Sequence, residues 1–204
     1  MPRRPLLVAA VTLSTLTLLT ACTGSPEAGR PNTSPPITTS ATPSATPSPT
    51  PSAPQWTAEQ QTAIAAAKKQ YSTARAAIDA ALAAPTKADR TKLENAGNGG
   101  AWITTVLEDI LDFQDSGWYA SGRTKITSLQ VSSVNLKLEQ PEVRLINCID
   151  TSAVVIRSQA DNKPVTAGAE GSKRQKVSSR VVYAPSATGE KRWWLIAEQE
   201  LGAC

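Results

Sequence analysis

The chain of 204 residues contains no histidine. Its absence removes both the commonest general base and the commonest protein ligand for a metal ion. No G-x-S-x-G elbow and no C-x-x-C pair is present either, which excludes the usual settings for a serine nucleophile and a redox dithiol. The glycine-bearing stretch Asn95-Ala96-Gly97-Asn98-Gly99-Gly100 lacks the third glycine and the preceding strand of a dinucleotide loop, and is expected to end one helix and begin the next. Charge of one sign is also scarce, with 21 basic against 17 acidic residues and a net +4. No basic stripe of the kind that contacts phosphate backbones follows from that balance, so nucleic acid is not an expected partner. No cofactor, no metal and no catalytic set is expected.

What is present begins at the N-terminus. Arg3 and Arg4 precede an apolar run from Pro5 to Thr20, shorter than the roughly 20 residues a permanent membrane helix needs. This is the composition of an export signal. The run closes on Leu19-Thr20-Ala21-Cys22, which resembles the L-x-A-C lipobox of bacterial lipoproteins. The resemblance implies that residues 1–21 are a signal peptide cut after the small Ala21, and that the Cys22 thiol carries a diacylglyceryl group with palmitate-like chains. A two-chain anchor holds stably where one chain holds only marginally, so the expected location is the outer face of the cytoplasmic membrane. The following residues, 22–55, are crowded with proline, serine and threonine ("TSPPITTSATPSATPSPTPSAP"). Such a segment buries too little apolar surface to offset chain entropy and is expected to be a disordered stalk. A stalk after a lipobox resembles the exported lipoproteins of actinobacteria. Membrane lipid, through diacylglyceryl-Cys22, is therefore one expected partner.

Without Arg3 and Arg4, 19 basic residues face 17 acidic ones, and residues 56–204 form a stretch of 149 residues, the size of one domain. With Cys22 assigned to lipid, Cys148 and Cys204 remain as an even pair in an exported, oxidising setting, which predicts a disulfide. The competing reading is two free thiols or a redox pair.

Within the domain, Thr57 and Gln60 form a capping box. Ile64, Ala67, Tyr71, Ala74, Ile78 and Leu82 then recur at helical spacing as far as Pro85. A short helix is predicted over Lys87 to Asn95. A third helix, Ala101 to Asp115, sets Trp102, Val106, Ile110 and Phe113 on one side and its acids mostly on the other. The period then changes to two, with an interruption, from Ile126 to Leu138. Further strands are predicted at Glu142 to Ile149, Ala153 to Ser158, Lys173 to Tyr183 and Arg192 to Glu200, with a hairpin loop at Ala184 to Gly189. Three N-terminal helices on a curved, mostly antiparallel sheet make an α+β domain.

This order, the segment "VRLINCIDTS" (Val143 to Ser152) and the terminal strand "RWWLIAEQELGAC" resemble the NTF2-like (SnoaL-like) cone of exported actinobacterial lipoproteins. The resemblance implies a cone used as a ligand pocket, an enzyme site or a protein-interaction module; the lipobox, the stalk and the missing catalytic sets favour a non-catalytic module for an unknown protein or small-molecule partner, the alternative being an isomerase or dehydratase with an aspartate base. For the enzyme, Asp109, Asp112 or Asp150 would face the cone interior beside Trp102, Trp118 or Tyr119. For the binding module, Trp118-Tyr119 and Trp193-Trp194 are candidate aromatic anchors, one indole of the second pair pointing to each face of its strand, and the competing reading, which the sequence favours, is core packing. Lys173, Arg174, Lys176 and Arg180, with Lys191 and Arg192, are candidates for a basic edge facing anionic polymer or lipid headgroups, and the favoured reading is solvated, edge-protecting charge.

Overall fold

A computed structural model of the chain describes residues 55–166 and 173–204. The export signal, Cys22 and the stalk lie outside the described residues. The first helix, α1, spans Ala58–Ala83 and opens on the expected box: the Thr57 hydroxyl accepts from Gln60 N, and the Thr57 backbone N–H donates to Gln60 Oε1. Its buried face is Ala63, Ala67, Tyr71, Ala74, Ile78 and Ala81. Ile64 and Leu82, expected in that face, are only half-buried, because small alanines let the helix lie close on the sheet while the larger side chains lean out at its margins. Pro85 ends α1 and opens a 3-10 turn, Pro85–Lys87.

Helix α2 spans Arg90–Asn95, later than expected, because Asp89 caps it by accepting from Thr91 N. It ends where Gly97, at φ +87°, lets Asn98 N reach Leu93 O and Gly97 N reach Glu94 O. Helix α3, Gly100–Asp115, buries Ile103, Val106 and Ile110. No helix of the described residues is long and apolar enough to cross a membrane.

Six strands follow: β1 Trp118–Ser121, β2 Lys125–Asn135, β3 Glu142–Asp150, β4 Val155–Ser158, β5 Arg174–Pro185 and β6 Lys191–Ala203. They form two antiparallel sheets, one in the order β2-β3-β5-β6 and one pairing β1 with β4. The second sheet departs from the single run expected; Trp118-Tyr119 and Val155 to Ser158 are short segments, half-buried except for the exposed Val155, that pair with each other rather than with the long strands. Strand β2 also ends at Asn135 rather than Leu138, and it carries two register shifts instead of one, at Ile126/Ser128 and Val131/Ser133. The fold is therefore α+β, with helices packed against antiparallel sheets.

The main sheet shows α1 a face built from Val143, Leu145 and Asn147 of β3, Val177, Ser179 and Val181 of β5, and Leu195 of β6. With Ala67, Tyr71 and Ala74, Val143, Leu145, Val181 and Leu195 of this face form one core. A second core joins Ile78 and Leu93 to Ile103, Val106 and Ile110. The opposite face follows from the same registers: Glu142 opposite Val182, Arg144 opposite Arg180, Ile146 opposite Ser178, Cys148 opposite Lys176. Cys148 on this face is joined to Cys204 in a disulfide that spans β5, and Cys204 N donates to Arg174 O.

Candidate functional site

Alternation on the inner face of the sheet is broken by polar side chains. Asn147 stands in the row Val143, Leu145, Ile149, and Ser179 between Val177 and Val181. Both are buried. The Asn147 amide donates to Ser179 Oγ at 2.6 Å, and Ser179 Oγ donates to Glu198 Oε1 at 3.1 Å. From α1, Arg75 closes the chain with an ion pair to Glu198 at 2.7 Å, the two side chains only 16% and 6% exposed. Tyr71, one turn earlier, lies beside Glu198 and Ser179, and burial first, then the Glu198 charge, push its hydroxyl far above the usual range. It is neutral at any physiological pH. The Tyr71 hydroxyl, Asn147 Oδ1 and Arg75 Nε make no hydrogen bond of their own. Chemically the cluster is a clamp: a guanidinium, a carboxylate and two amphoteric groups tie α1 to β3, β5 and β6. Because arginine already neutralises the carboxylate, the cluster offers no unengaged base.

An accessible cleft lies elsewhere, between the α2–α3 junction and the β5–β6 hairpin, with a volume of about 400 Å³. Ile103, Val182, Trp194 and Ile196 give it an apolar wall, and Arg90, Glu94 and Gln140 stand among its polar lining groups. Trp194 is fixed there by donating its indole N–H to Ala184 O at 3.0 Å, and by the Arg192 guanidinium 4.0 Å from its ring centre. Arg192 in turn donates to the carbonyls of Glu94 and Asn95 at the end of α2. This candidate for the basic edge caps a helix instead. The cleft floor is held by pairing of Gly97 to Gly99 with Leu195 along the open edge of β6.

The sequence-predicted residues do not converge. Trp102 donates its indole N–H to Asn98 Oδ1 at 3.2 Å and packs between the two cores. Trp118 meets Phe113 edge-on at 6.4 Å, and Tyr119 donates to Asn162 Oδ1. Trp193 packs on Tyr183 at 5.4 Å and on the inner core, so its neighbour Trp194 is the indole that lines a cleft. Asp109 and Asp112 are on the exposed side of α3. Partial burial, Asp112 and Glu108 raise the Asp109 carboxyl above its ordinary value, but it does not line the cleft beside Trp194. Asp150 accepts from Ser152 N at 2.9 Å, lies 4.0 Å from Arg174, and is held below the usual range by those contacts, Ser152 first. That is the reverse of a buried base beside an indole. Among the described residues no three acidic, cysteine or histidine side chains are placed to hold a metal ion.

Sequence reasoning missed the inner cluster because Tyr71 reads as one more apolar member of the α1 face. The signal that marks it is the pair of polar residues, Asn147 and Ser179, at inward positions of otherwise aliphatic strands.

No protein family matches the sequence, and no curated protein matches it. Among solved structures the fold is similar to the intermembrane-space region of the chloroplast protein ARC6, with a TM-score of 0.45 and 12% identity over 74% of this chain and 100% of that one.

Proposed function

We propose that the chain is a membrane-tethered lipoprotein of the cell envelope whose domain is an NTF2-like cone serving as a non-catalytic binding module. The observation that carries this reading is the contrast between interior and end. Tyr71, Val143, Leu145, Val181 and Leu195 between α1 and the sheet have no exposure, whereas the cleft beside Trp194 is open to solvent. A filled cone leaves no chamber for substrate. An open apolar cleft with a few fixed polar groups has the composition of a ligand or partner site. The cone assignment is supported by the order of helices then strands and by the register shifts in β2 and between β5 and β6, since bulges bend strands around what they cover. The tether is supported by Leu19-Thr20-Ala21-Cys22 ahead of the proline-rich stretch.

The tether is tested by expressing the full chain and its Cys22→Ala variant with labelled palmitate. The parent chain is expected in the membrane fraction with label, and the variant without label. Equal labelling of the two would overturn the anchor, and would leave the reading of the cleft to its own test, given at the close of the Discussion.

A further inference from the structure

The face of the main sheet turned away from α1 carries an arrangement that its own register disfavours. Arg144 on β3 and Arg180 on β5 stand directly opposite each other, and like charges in that relation are destabilising. Glu142 resolves it. Its side chain is 8% exposed; its Oε1 accepts from Arg144 Nε at 2.5 Å, and its Oε2 accepts from Arg180 Nε at 2.9 Å and Arg180 Nη2 at 2.6 Å. One carboxylate thus fixes two guanidiniums and leaves one positive charge in excess. Both arginine side chains stay about half exposed, at 49% and 44%. The two Nη groups of Arg144 and Nη1 of Arg180 have no hydrogen-bond acceptor among the described residues. Ser133 of β2 lies opposite Arg144 on the same face, and Lys125 and Lys176 are exposed further along it.

We propose that Arg144 and Arg180, held side by side by Glu142, form a binding site for a phosphate-type oxyanion on the uncovered sheet face. A guanidinium presents donors in a planar fork that matches tetrahedral oxyanions, which lysine does not. Binding normally costs the ordering of such long side chains, and here Glu142 has already ordered them. The excess charge is what an anion completes. The ligand chemistry is a phosphate group, either a free monoester or the phosphodiester of a lipid headgroup or polymer.

The test follows the side-chain Nε–H signals of Arg144 and Arg180 by NMR in the full-length protein in nonionic detergent. Inorganic phosphate, glycerophosphoglycerol and sodium chloride are the three probes. Phosphate is expected to shift both signals saturably, where chloride at equal ionic strength does not. Arg180→Lys, which keeps the charge, is expected to weaken binding about tenfold, the worth of one charge-assisted hydrogen bond. Arg144→Lys does the same and stands in if Arg180→Lys fails to fold, and Lys176→Gln leaves binding within about twofold. Equal affinity for glycerophosphoglycerol assigns the site to a phosphodiester, and a marked preference for phosphate assigns it to a monoester. Signals that do not move, that move equally with chloride, or that respond unchanged in both lysine variants overturn the site.

Discussion

The side chains that decide how this domain holds together are polar and were placed by geometry that no local pattern announces. Arg75 and Glu198 are separated by 123 residues and meet at 2.7 Å with almost no solvent around them. Removing one member leaves an uncompensated buried charge. Arg75→Met is therefore expected to cost about 3–5 kcal/mol in chemical denaturation, and the double replacement Arg75→Met with Glu198→Leu to recover most of it. A single variant within about 0.5 kcal/mol of the parent would contradict the clamp. Glu142 supplies a pH signature. Burial raises its carboxyl, but the hydrogen bonds and charges of Arg144 and Arg180 outweigh burial and leave it below its ordinary value of 4.5. A depressed folded value means stability that is complete above the unfolded value and lost as pH falls through the folded one. The stability gap between the parent and Glu142→Gln is thus expected to narrow steadily as pH drops below 4.5, and a gap that widens would contradict the assignment. At this scale the sequence was least informative. Trp102, Trp118 and Trp193 stand out as aromatic residues, but each is held by a packing or hydrogen-bond partner that only the tertiary fold supplies. Trp194 became a cleft residue because the chain at Gly97 to Gly99 pairs along β6.

Elements were far more legible, since their signals are local. The Thr57–Gln60 box, Pro85 and the glycines after Asn95 mark helix ends through capping, a missing N–H and a left-handed φ. The separate β1–β4 sheet was not legible, because a four-residue strand has too few positions to show a period of two. That sheet approaches the connection into β2 at Gly122, which has φ +99° and where an added Cβ would stand 2.0 Å from Ala153 O. At Gly117, φ +66°, an added Cβ would meet nothing within 4 Å. Gly117→Ala is expected to cost about 1 kcal/mol for its backbone conformation alone, and Gly122→Ala clearly more because backbone must also move. Thermal melts of the two variants check the order, and equal costs would mean that β1–β4 yields freely at this point.

For the molecule as a whole, pairing of Cys148 with Cys204 was legible from cysteine number and setting, though its path across β5 was not. The bridge closes a separation of 56 residues, and in the chain-entropy model its loss costs about 4 kcal/mol. Cys204→Ser is expected to lower the denaturation midpoint accordingly, and addition of reductant to the parent to reproduce the shift; an unchanged midpoint would contradict a structural bridge. The broad architecture, helices first and antiparallel strands after, was readable because each half keeps one hydrophobic period. The cleft was not, because it is assembled from α2, α3, β5, β6 and Gln140, none of which shows a ligand signature by itself. The most direct measurement is therefore an NMR titration of the full-length protein with a library of small apolar and aromatic fragments, mapping which backbone and indole signals move. The account predicts that hits cluster on the Trp194 indole, Ile196 and the Ser186 to Glu190 loop, and that Ala187→Trp, which fills the cleft, removes them. Hits that map instead to Tyr71, Asn147 and Glu198, or to Asp109 and Asp112, would contradict it and place the working site in the interior or on α3.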